Sequence, residues 1–207
     1  MKKPRVRLNC AMSLDGFIGK PGEQIHFSNE KDKQRVHRLR AQMDGILVGV
    51  NTVLTDNPHL TVRHASGRNP VRVIVDDAGK TPLDANVLDA SALTIVAVSR
   101  KASKTRVRKL REKADVIIAG GDLVDLRKLM KALYGRNIRS ILLEGGGTLN
   151  RSMLSEGLVD EISLTFAPML LGYGIRWING TLARKIELEY VGCTILDSQV
   201  VVQYLVK

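Results

Sequence analysis

The chain has 207 residues, of which 44% are hydrophobic and 26% charged, with 18 Gly and 6 Pro; these are ordinary globular proportions that exclude disorder, low-complexity and collagen-like sequence. One domain over residues 1–207 is the simplest organisation, and a chain of this length buries about 70% of its unfolded surface without staples. The 32 basic and 21 acidic side chains leave a formal charge of +11, which attracts phosphate, but aromatics are only 4% and no RNP, zinc-finger or helix-turn-helix pattern occurs, so nucleic acid is not the expected partner.

In chain order, Met1-Lys2-Lys3-Pro4 leads into no signal-peptide core, and Lys2, Lys3, Arg5 and Arg7 form a first basic stretch. Val6 to Met12 reads as a strand and Leu14-Asp15-Gly16 as a turn. From Glu30 to Met43, the apolar residues Val36, Leu39 and Met43 recur at helical spacing, with Ser28 or Asn29 as N-cap. Strands are expected at Gly45 to Val50, Val71 to Val75, Leu93 to Val98, Val116 to Ala119 and Ser140 to Leu143. The longest apolar run, Gly45 to Val50, is far short of the ~20 residues that span a bilayer, so a soluble, cytoplasmic protein with no membrane partner is expected. Between Arg100 and Lys113, eight basic side chains face Glu112 alone, and Val107, Leu110 and Ala114 have the spacing of a surface helix with a charged outer face. Helices are also expected at Leu123 to Tyr134 and Leu149 to Glu156. Near-continuous apolar strands separated by helices predict a parallel sheet covered on both faces. After Gly157, the runs Glu161 to Phe166, Ile186 to Tyr190 and Val200 to Val206 lack long helices between them, so the sheet is expected to finish antiparallel.

Cys10 and Cys193 stand far apart with no CxxC, and His26, His37, His59 and His64 form neither HExxH nor HxE with a downstream PCxxC. Disulfides and zinc protease or deaminase chemistry are therefore not expected, no metal is called for, and both cysteines read as small buried hydrophobes. Two segments carry candidate chemistry. Ile141 to Asn150 runs from a buried strand through Gly145, Gly146 and Gly147 toward a helix, where glycines admit a pyrophosphate and free amides supply donors; a tight structural turn reads equally well from the glycines alone. Glu144 places a carboxylate where a parallel strand ends, at the ligand edge of open α/β sheets. Val48 to Arg63 reads as a strand opening into a polar loop with Thr52, Asp56 and the guanidinium of Arg63, a group suited to phosphate; a turn N-capped by Thr52 with Arg63 on the surface reads equally well from these residues alone. After the strand Leu93 to Val98, Ser99-Arg100-Lys101 offers a basic end for a ribose 2′-phosphate through Arg100.

The combination Asn9-Cys-Ala-Met-Ser-Leu-Asp-Gly16, Leu39-Arg-Ala-Gln42, Gly49-Val-Asn-Thr-Val-Leu-Thr-Asp-Asn-Pro58 continuing to Arg63, Asn69-Pro-Val-Arg72 and Leu143-Glu-Gly-Gly-Gly-Thr148 resembles the reductase family of riboflavin biosynthesis. The match covers nearly the whole chain, and looks closest to the free-standing archaeal form; bacterial relatives carry an N-terminal zinc deaminase, for which this sequence offers neither room nor ligands. The resemblance implies a dihydrofolate-reductase-like α/β fold, with a mixed, mostly parallel sheet flanked by helices and antiparallel C-terminal strands. It also implies NADPH as hydride donor, a homodimer, and reduction of the ribosyl group of 2,5-diamino-6-ribosylamino-4(3H)-pyrimidinone 5′-phosphate to the ribityl group. Carried over by position, Thr52, Asp56, Asp76, Asp77, Gly145, Gly146, Gly147 and Thr148 match cofactor-contacting residues, with the glycines as phosphate loop. His26 aligns with an aromatic cofactor neighbour of bacterial relatives and departs from that pattern. Arg40, Arg63 and Glu144 match substrate positions, and Asn9 and Leu60 line the same cleft. Hydride transfer to an opened imine needs no covalent nucleophile, so no catalytic residue is assigned. The competing enzyme class is a dihydrofolate or other pteridine reductase on the same fold, against which Arg40 and Arg63 favour a phosphorylated substrate.

Overall fold

The computed structural model describes residues 2–207, so that Met1 of the opening stretch lies outside it. Strands β1 (Arg5–Ser13), β3 (Gly45–Gly49), β4 (Val71–Val75), β5 (Thr94–Val98), β6 (Asp115–Ile118), β7 (Ser140–Leu143), β8 (Glu161–Ala167), β10 (Leu188–Leu196) and β11 (Gln199–Val206) form one sheet in the order β10-β11-β8-β1-β7-β3-β4-β5-β6. A small antiparallel pair, β2 (Phe17–Gly19) with β9 (Ile175–Arg176), stands apart. From β8 to β6 every pairing is parallel, while β11 runs antiparallel to both β8 and β10. The predicted parallel sheet with an antiparallel finish is what the chain forms.

Burial explains the strands. All five residues of β5, Thr-Ile-Val-Ala-Val, are buried, which requires cover on both faces. Alternate residues feed two cores. Leu47, Val73, Ala97 and Leu143 pack with Leu129, Met130 and Leu133 of α4 (Leu126–Gly135) and Leu149 and Met153 of α5 (Gly147–Ser155). Ile46, Val48, Ile74 and Val96 pack on the opposite face with Val53 of α2 (Val50–Asp56) and Val107 and Leu110 of α3 (Lys104–Arg111).

Several expectations are corrected in detail. The first part of the segment after Val48 is not a loop but the helix α2, which begins directly at Val50 with Gly49 as N-cap; the expected irregular stretch follows only from Asn57. Helix α1 (Glu30–Gln42) starts behind Asn29, whose side chain accepts from the Asp32 amide at 2.9 Å; Ser28 instead donates to the Asp32 carboxylate at 2.5 Å. Its buried positions are Asp32, His37 and Leu39, so the helix turns a polar face inward while Val36 and Met43 are only half-buried. The predicted strand Ile186 to Tyr190 lies later, as β10, and Cys193 on it is exposed while Cys10 is partly enclosed. Part of the first basic stretch is paired locally: Lys3 with Asp160, and Arg5 and Arg7 both with Glu161.

Arg72 on β4 is wholly buried. Its guanidinium donates to Thr94 Oγ1 at 2.9 Å, to the Asp89 carboxylate at 2.9 Å and Ser91 Oγ at 3.3 Å, and to the backbone oxygens of His59, Asn86, Asp89 and Ala92 at 3.4, 3.2, 2.6 and 2.5 Å. One side chain thus ties the segment after α2 to the turn before β5. No helix among the described residues is long and apolar enough to cross a membrane, and among them no group of three or more His, Cys, Asp or Glu side chains could hold a metal ion.

Candidate active site

Strands β1, β7, β3 and β4 are parallel neighbours, so their C-terminal ends share one edge, and the loops leaving that edge converge. Leu8 of β1 and Leu47 of β3 both pair with Leu143. Glu144, the next residue, therefore leaves the sheet between them, on the same strand end as Asn9. Its carboxylate is gripped by Arg40, near the end of α1, through two parallel bonds, Nε to Oε1 at 2.9 Å and Nη2 to Oε2 at 2.7 Å. Both side chains are mostly withdrawn from water, at 12% and 13% exposure. The third nitrogen, Nη1, donates to Thr61 O at 3.1 Å, so Arg40 and Glu144 are brought together and the Arg40 guanidinium is fully committed within the chain.

Leu60 is buried in the core and takes a left-handed backbone, φ 54°, turning the chain so that Thr61, Val62 and Arg63 lie along α1. The amide of Arg63 donates to His37 Nδ1 at 2.8 Å. Its exposed side chain makes only a 3.5 Å contact with Thr61 Oγ1. His37 is held below the ordinary imidazole range, to about 4, first by burial and then by the charges of Arg40, His64 and Arg63, against the opposite pull of Glu144. Asn9 is buried and its carbonyl accepts from Arg35 Nη2 at 2.9 Å; Arg35 also binds Asp32, Ser163 and Thr165. This polar bed beneath the cleft, like His37, escaped the sequence reading. The available signal was the spacing of Asp32, Arg35 or Asp32, His37 and Arg40 on one helix.

The glycine turn divides into three tasks. Gly145 has φ 88°, and its carbonyl accepts from the Gly49 amide at 3.0 Å. Gly147 is required by the chain itself, since a Cβ there would lie 2.1 Å from Arg176 O. Gly146 is different: a Cβ there would meet only Thr52 Oγ1, at 3.6 Å. Gly146 is also the N-cap of α5 and supplies no capping side chain, so the first amides of that helix lack intrahelical acceptors. Beside the turn, Asn150 donates to Trp177 O at 2.9 Å while its Oδ1 is a buried acceptor without a partner among the described residues. Thr148 is exposed at the helix start, and Thr52 faces the turn from α2.

Asp56 stands exposed at the end of α2. The buried Asp76 carboxylate is used internally, accepting from the amides of Lys80 and Thr81 and from Thr81 Oγ1 at 2.8, 2.7 and 2.7 Å. Asp77 accepts from the Val124 amide at 2.6 Å. These two residues shape the turn after β4. Arg100 is exposed beyond β5, three strand spacings or roughly 14 Å from β7, and lines a groove of about 560 Å³ with Ala119, Gly121, Leu123 and Lys128. His26 is exposed in the segment before α1.

Residues 4–202 match the model of the RibD C-terminal domain family. The chain is 44% identical over 214 residues to the 2,5-diamino-6-ribosylamino-4(3H)-pyrimidinone 5′-phosphate reductase of Methanothermobacter thermautotrophicus, covering 99% of each chain. It is 41% identical to the reductase of the same name from Archaeoglobus fulgidus, covering 82% of this chain and 83% of that one. Among solved structures it is similar to the Thermotoga maritima diaminohydroxyphosphoribosylaminopyrimidine deaminase/5-amino-6-(5-phosphoribosylamino)uracil reductase, with a TM-score of 0.83 and 28% identity. The whole of this chain spans only 57% of that two-activity protein. A dihydrofolate reductase from Enterococcus faecalis, at a TM-score of 0.58 and 12% identity, shares the fold alone.

Proposed function

The chain belongs to the RibD C-terminal domain family, and from that premise we propose that it reduces the ribosyl group of 2,5-diamino-6-ribosylamino-4(3H)-pyrimidinone 5′-phosphate to the ribityl group, an early step of riboflavin biosynthesis. NADPH is the donor in this proposal, and the working unit is a cytoplasmic homodimer of one reductase domain spanning residues 1–207. The observation that carries it is the seating of residues 61–63 on α1, where Arg40 binds both Thr61 O and Glu144 at the strand end that bears the Gly145 to Thr148 turn, while the exposed Arg63 guanidinium makes only a 3.5 Å contact with Thr61 Oγ1.

A nicotinamide dinucleotide fits the residues present. Gly146 leaves its backbone open, the uncapped start of α5 offers amide donors to a pyrophosphate, and Thr52 flanks them. When bound, the reduced nicotinamide supplies a hydride to the first ribose carbon of the ring-opened imine. Gly145, Gly147 and Thr148 complete the turn, and Asp56 and Asp77 border the path from that turn toward Arg100, which receives the 2′-phosphate, while the buried Asp76 acts only by holding its own turn in shape. On the substrate side, Arg63 binds the 5′-phosphate by charge-assisted hydrogen bonds. Arg40 holds Glu144 as an oriented carboxylate at the aminopyrimidinone, where it accepts amino hydrogens and favours a cationic imine. Asn9 and Leu60 shape the wall.

The test is NADPH oxidation followed at 340 nm, with the ribosylaminopyrimidinone phosphate and with dihydrofolate as alternative acceptors. Turnover with the first and not the second is expected; a folded protein that turns over only dihydrofolate would make it a pteridine reductase. Calorimetry with NADPH and NADH, repeated on Arg100→Ala, separates the 2′-phosphate assignment, which predicts a loss confined to NADPH.

A further inference from the structure

Three successive residues of the segment leading to Arg63 are fixed by side chains from elsewhere. Thr61 O accepts from Arg40 Nη1 at 3.1 Å, the Val62 amide donates to Asn69 Oδ1 at 2.8 Å, and the Arg63 amide donates to His37 Nδ1 at 2.8 Å. His37 and Arg40 are three residues apart on α1 and therefore share a face, so one helix holds both ends of the segment. His37 is buried, and its ring meets His64 edge-on at 4.7 Å between centroids. An imidazole that accepts through Nδ1 must carry its single proton on Nε2. The charged groups around it are Arg40 on its own helix, Arg63 and His64 on the segment it binds, and Glu144 from the end of β7. Three of those four are basic, so the neutral, accepting form is the one the surroundings select.

The side chain of Arg63 has no comparable anchor, since its guanidinium touches only Thr61 Oγ1 at 3.5 Å. The backbone fixes the origin from which that guanidinium reaches, and of the three contacts that hold the segment only the one from His37 falls on Arg63 itself. We infer that His37 is a positioning residue for substrate binding: by accepting the Arg63 amide it aims the guanidinium at the substrate's phosphate. The inference rests on the assignment of Arg63 as phosphate ligand, and adds a residue that touches neither substrate nor cofactor.

Asparagine places an oxygen near the position of Nδ1, glutamine near that of Nε2, and leucine supplies no acceptor. Steady-state kinetics on the full chain, with the ribosylaminopyrimidinone phosphate and with its dephosphorylated nucleoside, should show His37→Leu raising the KM of the phosphate ester about tenfold, the effect of one lost hydrogen bond, with kcat within about twofold. The kcat/KM of the nucleoside should be unchanged, and His37→Asn should restore most of the lost affinity. If His37→Leu does not fold, His37→Asn against His37→Gln gives the same comparison, with asparagine the better phosphate binder. Equal behaviour of asparagine and the non-accepting or misplaced variant, or equal losses with both substrates, overturns the role of His37. Arg63→Ala separates the two levels. If it abolishes the preference for the phosphorylated substrate while His37→Leu does not, only the positioning role falls; if it leaves that preference intact, the phosphate assignment falls and takes the positioning role with it.

Discussion

Arg72→Ala is the substitution whose cost can be worked most directly from the coordinates. A guanidinium cannot escape burial by losing its proton, and at 0% exposure it is tolerated only because all three nitrogens have acceptors. Alanine leaves the carbonyls of Asp89 and Ala92, now bound at 2.6 and 2.5 Å, without their donor. Asp89 is exposed and Ala92 half-buried, so each carbonyl so stranded costs about 1–2 kcal/mol, the lower part of the range for an unsatisfied acceptor, and the void left by the side chain adds about 1 kcal/mol. The Asp89 carboxylate contributes less, because at 40% exposure it regains water. The sum is about 3–5 kcal/mol, which for a chain of this size lowers Tm by roughly 6–20 °C. Urea and thermal unfolding followed by circular dichroism measure it. Lysine, with three donors but no planar fork, should recover only part. An Arg72→Ala variant within about 1 kcal/mol of the parent would mean that water enters and satisfies those carbonyls, and would refute the clamp.

Gly147→Ala should destabilise by about 1–3 kcal/mol through overpacking against Arg176 O, whereas Gly146→Val should fold and lose NADPH binding by calorimetry; retained affinity there would remove the phosphate turn. His37 gives stability a defined pH dependence: its folded value is lowered to about 4 from 6.5, so in that window the unfolded chain binds a proton the folded chain does not. Its contribution is therefore intact above pH 6.5 and declines as pH falls toward 4; urea midpoints that stay level over this range in the parent relative to His37→Asn would contradict it. Burial, reinforced by Glu144, pushes the Cys10 thiol up to about 12, so iodoacetamide at pH 8 should modify Cys193 and spare Cys10, as peptide mass analysis would report.

The sheet was legible because its strands are unbroken apolar runs, and Gly-Ile-Leu-Val-Gly at Gly45 to Gly49 admits hardly any other use. What lacked periodicity was missed. Helix α2 buries only Val53 of its seven residues, so nothing in Val-Asn-Thr-Val-Leu-Thr-Asp sets it apart from a polar loop. The β2–β9 pair joins residues more than 150 positions apart, and a two-residue strand carries no pattern of its own. Helix α1 inverted the usual rule, burying Asp32 and His37 because Arg35, Ser28 and Arg63 complete their hydrogen bonds. Of the motif residues, Arg40 and Glu144 meet as an ion pair, and the backbone of Arg63 is seated on the same helix as Arg40. These partnerships were not legible, because a motif says which residue types meet a ligand and not which of them first meet one another. Asp76 illustrates this: a carboxylate at a strand end looked available, yet its own turn occupies it.

The position of β1 has a consequence for how the chain is made. Strand β1, made before every other strand of this sheet, lies between β7 and β8, so both of its flanks stay bare until residues 140–167 have left the ribosome. Sequence-distant pairings of this kind are slow to close and leave apolar backbone uncovered meanwhile. The N-terminal segment is thus the keystone of the sheet and also the piece that waits longest, and a nascent chain stalled before Ser140 should be a chaperone client rather than a half-built enzyme.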